Sequence, residues 1–195
     1  MKFYESGDNR KPVIFLFPGT CCLYSSFDHV LDGLHSYFYT VAVSYDGFDP
    51  NEKTEFYSME DECEKIEQEI RTKYGGRIKA AYGCSLGGSF VSLLIQRKRI
   101  HIDHGIIGSS DMDESRKKLI DGFVNMFGID KGGSPWITKQ SVYNQFYSDL
   151  VTKVQHGIDV PGTTIHVFYA TKMGEKYEKR YCTYFKNPDI RRHNM

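Results

Sequence analysis

The sequence predicts an α/β protein: a three-layer α/β/α sandwich on a mostly parallel sheet of about six to seven strands, with a helical insert. Three observations carry this expectation. Val13 to Phe17 is an uninterrupted apolar run that stops at Pro18-Gly19, the pattern of a strand buried on both faces. Strands of this kind alternate with amphipathic helical patterns as far as Gly108, which implies crossover connections and parallel pairing. At 195 residues the chain supports one well-buried core and is too short for two ordinary domains, so residues 1–195 form a single domain, with 111–162 as its helical cap insert.

In chain order, Lys2 to Glu5 leaves room for one short strand ahead of the apolar run. Behind Ser25-Ser26, which can cap a helix start, Phe27, Val30, Leu31 and Leu34 fall at helical spacing. Thr40 to Tyr45 is the next strand. From Tyr57 to Tyr74, the positions Met59, Cys63, Ile66, Ile70 and Tyr74 make one apolar stripe on an acidic helix. Ile78 to Tyr82 is a strand, Leu86 to Arg97 a helix and Ile102 to Gly108 a strand. The alternation then lapses. Two helical patterns follow, one with Leu119, Ile120, Phe123, Val124 and Phe127, the other with Val142, Phe146, Leu150, Val151 and Val154. Gly128 to Pro135 between them is a loop by composition. Thr163 to Ala170 returns to a strand, Glu175 to Lys186 to a helix, and Ile190 to His193 begins a last strand.

Charge is balanced, with 25 basic and 25 acidic residues, which argues against nucleic acid or a strongly acidic partner. The first 74 residues are net acidic and the rest net basic, but no segment is more than a solvated face. No apolar run approaches the roughly 20 residues that span a bilayer, and the N-terminus has no signal-peptide core. The five cysteines are odd in number and contain no C-x-x-C, so they read as free thiols of a soluble cytoplasmic protein.

Gly83-Cys84-Ser85-Leu86-Gly87 matches G-x-S-x-G between a strand and a helix. A nucleophile on such a sharp turn has its Oγ pushed clear of the sheet. The residues two before and two after it must be small to avoid collision, and both are glycine here. The helix N-terminus beneath Ser85 favours developing negative charge. A plain glycine-rich turn is the structural alternative. No Lys follows the glycines and the spacing is not G-x-x-x-x-G-K, so a phosphate loop does not fit. Cys84 sits off the apex, where the turn aims it away from the site.

From about Val13 to its end the chain resembles the α/β-hydrolase family, in the order of its βα units, in the Ser85 elbow, and in a helical insert after the next strand. The resemblance implies a serine hydrolase of esterase or thioesterase type that needs no cofactor and no metal. It also implies an oxyanion hole from the N–H groups of Thr20 (or Cys21) and Leu86, on the turn Pro18-Gly19-Thr20 where the family usually has His-Gly. The acid falls at Glu175, with Asp111 and Asp113 as alternatives. The base falls after the last strand, where two arrangements stand open: it is His193, or the chain is truncated and the base lies beyond Met195.

His29, His35, His101, His104, His156 and His166 have structural roles by default. His101-Ile102-Asp103-His104 would point its side chains to opposite faces of a strand, which does not suit a metal. The expected partner is a small acyl substrate, with no nucleic acid and no membrane. A missing last segment would expose a sheet edge and apolar surface, which invites a homodimer. A binding module that keeps the elbow without a working base is the second class of function, and an acyltransferase would use the same nucleophile.

Overall fold

The computed structural model describes residues 1–110 and 136–194. Its strands are β1 (Lys2–Ser6), β2 (Val13–Phe17), β3 (Tyr39–Ser44), β4 (Arg77–Cys84), β5 (His101–Gly108), β6 (Thr164–Ala170) and β7 (Asp189–His193). They form one 7-stranded sheet in the order β1-β3-β2-β4-β5-β6-β7. Only β1 is antiparallel to its neighbour; the other pairs are parallel. The helices are α1 (Asp28–His35), α2 (Met59–Tyr74), α3 (Leu86–Arg97), α4 (Lys139–Val151) and α5 (Glu175–Tyr184).

Strand β2 shows why its apolar run is unbroken. Phe15 and Phe17 enter the larger core, shared with α2 and α3, while Ile14 and Leu16 enter a smaller core with Phe27 and Ala42. Both faces are therefore covered, as a central parallel strand requires. The larger core takes in Cys63, Ile66 and Ile70 of α2, Phe90 and Leu94 of α3, Val142 of α4 and Tyr181 of α5. On the other face Leu31 and Leu34 of α1 are only partly buried, and Val30 is exposed.

Helix α2 has a complete set of end signals. Ser58 caps it by accepting from Asp61 N–H, acidic residues fill its first turn, and Gly75 closes it with a left-handed φ of 63°. Helix α1 differs from expectation: Ser25 and Ser26 lie in a 3₁₀ turn, Tyr24–Phe27, and α1 starts at Asp28 with no side-chain cap. Helix α5 stops at Tyr184 because Phe185 and Lys186 leave the helix to pair with Ile158. Of the two predicted insert helices, the second is α4; the first, and the loop after it, lie outside the described residues. The other element boundaries fall within about two residues of expectation.

Buried charge fixes the helices to one another. Arg97 on α3 grips Glu67 on α2 through Nε (2.6 Å) and Nη2 (3.1 Å). Glu62, fully buried, accepts from Asp46 N–H at 3.0 Å and from Lys65 Nζ at 2.8 Å. Burial, with the Asp46 carboxylate close by, pushes the Glu62 carboxyl up to about 7 from an ordinary 4.5. The folded protein thus holds this proton more tightly than the unfolded chain. Stability is expected to fall as pH rises through the window between those two values, and the cost is fully present above it. Glu62→Gln keeps the acceptor for Asp46 N–H. It is expected to raise Tm at pH 8, by about 2–4 °C for each kcal/mol relieved, and to give no gain at pH 5. Thermal melts at the two pH values check this, and an equal shift at both would refute it.

Candidate active site

Strand β4 ends at Cys84 and α3 begins at Leu86, so Ser85 alone makes the turn between them. Its φ of 54° and ψ of −123° lie where L-residues are rarely found. Ser85 N–H donates to Gly108 O at the end of β5 (2.9 Å), and Ser85 O accepts from Gly88 N–H (2.9 Å) and Ser89 N–H (3.3 Å). The backbone is held on both sides while the residue itself is exposed.

The flanking glycines are steric necessities. A Cβ on Gly83 would stand 2.0 Å from Gly87 O, and one on Gly87 would stand 2.1 Å from Phe17 O. On Gly88 it would meet Ser110 Cβ at 2.7 Å. At Gly19 there is room, with Cys84 O at 3.5 Å and Ser85 Cβ at 3.7 Å. The chain leaving β2 therefore passes directly beside the elbow, consistent with the pairing of Phe17 with Gly83.

Three hydrogen bonds hold that chain. Tyr45 Oη donates to Pro18 O (3.2 Å), Cys22 N–H donates to Gly19 O (3.1 Å) and Cys21 N–H donates to Gln145 Oε1 (2.8 Å). Among the described residues, neither Thr20 N–H nor Leu86 N–H donates a hydrogen bond. Of the two alternatives at this turn, the Cys21 amide is thus engaged and the Thr20 amide is open. Gln145 was not identifiable as a site residue from the sequence. Its one signal is a polar residue among Ser141 and Ser148 on the face of a helix that packs inward.

The expected acid and base are not joined to the serine. His193, at the end of β7, is exposed and lays its ring on Phe168, with centroids 5.4 Å apart. Glu175 is exposed at the start of α5. Among the described residues no hydrogen bond links Ser85 Oγ, His193 and Glu175; Asp111 and Asp113 lie outside the described residues. His193 and Cys84 do line one feature in common, a cleft of about 690 Å³ on the α1 face of the sheet, walled by Leu16, Phe27, Ile106 and Phe168. Burial, with Cys22 nearby, raises the Cys84 thiol, which makes it a poor nucleophile.

Of the remaining histidines, His29 lines the same cleft, while His104, His166 and His35 bond elsewhere. His104 Nδ1 lies 3.2 Å from His166 Nε2, and His166 Nδ1 lies 3.0 Å from Asp189 Oδ2. His35 Nε2 is 2.9 Å from Ser6 Oγ. All five cysteines are free. No helix among the described residues is long and apolar enough to cross a membrane.

No family model and no curated protein matches the chain in sequence. Solved structures do match. A protein from Desulfitobacterium hafniense assigned to the alpha/beta hydrolase family superposes with a TM-score of 0.80 at 14% identity, over 98% of this chain and 90% of that one. A lipase-esterase related protein from Clostridium acetobutylicum gives 0.78 at 13%, over 100% and 90%. The type II thioesterase BorB from the borrelidin biosynthetic cluster gives 0.73 at 12%, over 98% and 88%. The chain has the α/β-hydrolase fold.

The glycine geometry separates two substitutions. Gly87→Ala drives a methyl into the Phe17 carbonyl and is expected to cost about 3 kcal/mol or more. Gly19→Ala, whose Cβ meets only ordinary contacts, should stay within about 1 kcal/mol of the parent. Urea unfolding of both variants tests this, and equal losses would contradict the packing described.

Proposed function

We propose that the protein is a serine hydrolase that cleaves a carboxylic ester, thioester or related acyl substrate through an acyl-enzyme on Ser85. One observation carries this reading: an exposed serine on a strained strand-to-helix turn, beside two backbone N–H groups, of Thr20 and Leu86, that have no partner among the described residues. The likeness in fold to esterase and thioesterase structures supports an acyl substrate.

Ser85 Oγ attacks the acyl carbon as its proton passes to a base, and the carbonyl electron pair moves onto oxygen. Thr20 N–H and Leu86 N–H hold that oxyanion, each such donor being worth about 10²–10³ in rate. Collapse expels the alcohol or thiol, which takes the proton from the base. Water then repeats the sequence on the acyl-enzyme, releasing the acid and restoring Ser85. An acceptor other than water would make the same intermediate serve acyl transfer. No step calls for a cofactor.

His193 is the base in this proposal, with Glu175 as the acid that orients it. To act, the His193 ring must leave Phe168 and reach within about 3 Å of Ser85 Oγ, a tightening that many sites complete only with substrate bound. Its separation from Ser85 favours the second reading, an α/β-hydrolase scaffold that binds without catalysing.

An alkyl fluorophosphonate followed by intact-mass spectrometry decides between them. One adduct is expected, absent in Ser85→Ala; no adduct on the parent protein would overturn the hydrolase reading in favour of the scaffold. His193→Ala is expected to slow labelling by about 10²–10⁴-fold. An unchanged rate would remove His193 from the mechanism while leaving Ser85 in it.

A further inference from the structure

The residues Gly19 to Cys22 form a tight turn closed by Cys22 N–H on Gly19 O. Cys21, third in the turn, has φ 58°, whereas Thr20, second, is not left-handed. That combination is a type II turn, in which the third position ordinarily requires glycine or asparagine. A type I turn has the same ends and differs mainly by a flip of the central peptide, and Cys21 would favour it. Something must therefore hold the central peptide over, and its N–H, that of Cys21, has one partner: Gln145 Oε1 at 2.8 Å, 124 positions away on α4.

Gln145 is held in place for this. It is fully buried. Residues 141 and 148, on the same inward face of α4, anchor the helix to the segment ahead of α2: Phe56 N–H donates to Ser141 Oγ (3.2 Å) and Met59 N–H to Ser148 Oγ (2.7 Å). Yet, among the described residues, Gln145 Nε2 is buried without a partner. A residue retained for packing alone would be apolar and would avoid that unsatisfied donor. Gln145 carries the cost while its acceptor is committed to the turn beside Ser85.

We infer that Gln145 is a positioning residue of the oxyanion hole, which ties the Gly19–Cys22 turn to α4 and so fixes where the amide of Thr20 stands beside Ser85. Thr20 N–H and Cys21 N–H are successive amides of one short turn, so a bond that anchors the second at 2.8 Å limits where the first can stand. The insert helix thereby contributes to the site without touching substrate. This inference rests on the hydrolase reading of Ser85.

The test is the rate at which an alkyl fluorophosphonate labels Ser85: the Oγ–P bond forms, the P–F bond breaks, fluoride leaves and the hydroxyl proton goes to the base. Gln145→Met fills the same space without the acceptor. It is expected to label about 10–100-fold more slowly, the cost of a displaced donor, with its Tm close to the parent's. Adding Cys21→Gly, which adopts a left-handed φ freely, should restore most of the lost rate. A packing defect elsewhere would not respond to that second change.

A folded Gln145→Met protein labelling at the parent rate would overturn the inference, as would a loss that Cys21→Gly leaves untouched. Should Gln145→Met fail to fold, Gln145→Glu, which keeps the acceptor, carries the test. It is expected to label within about threefold of the parent at pH 6 and to slow as pH rises, because an ionised carboxylate opposes the oxyanion. A folded Glu variant without that pH dependence would count against the inference. A parent protein that does not label at all would overturn the hydrolase reading and this inference with it.

Discussion

Backbone meets backbone where α3 crosses the end of β2, and the site depends on that contact. With a Cβ on Gly87 only 2.1 Å from Phe17 O, and one on Gly83 only 2.0 Å from Gly87 O, no side chain fits between helix and sheet. This closeness lets the turn from β4 to α3 be completed by one residue, and it forces that residue into φ 54°. The strain is held by the Ser85 bond to Gly108 and by strands covered on both faces. Ser85 is thus lifted above a rigid floor rather than placed on a loose loop.

The strand order makes the same contact useful. Because β2 and β4 are neighbours, the turn after β2 and the start of α3 end up side by side, although Thr20 and Leu86 are far apart in the chain. In the proposed mechanism the oxyanion meets one amide from each. Polar anchors hold the surrounding helices in register: Arg97 on Glu67 ties α3 to α2, and Ser141 and Ser148 tie α4 to the segment ahead of α2. Ion pairs of this sort contribute little net stability once desolvation is counted, but they permit few alternative packings.

Ser85 and the proposed oxyanion donors sit at the centre of the sheet, where each strand has two neighbours. The proposed base sits at its edge, on a strand with one neighbour and mostly exposed side chains. Edge strands open more readily than central ones. The difference in support matches the geometry: Ser85 is held between central strands, and His193 rests on Phe168 instead of on Ser85.

The α/β class, the strands and most helices were legible along the chain, because apolar periodicity reports burial and burial decides which segments become elements. The place of Ser85 on the turn was legible too, since two glycines around a serine between a strand and a helix leave a local steric signature. The sequence misplaced the start of α1, where Ser25 and Ser26 entered a 3₁₀ turn, because capping chemistry is local while the helix start was set by docking Phe27 into the core. Only the tertiary structure shows the Cys21 amide engaged by Gln145 while, among the described residues, the Thr20 amide is open. That contact spans 124 positions and exists because α2, α3 and α4 pack on one face of the sheet, a relation that no periodicity along the chain encodes.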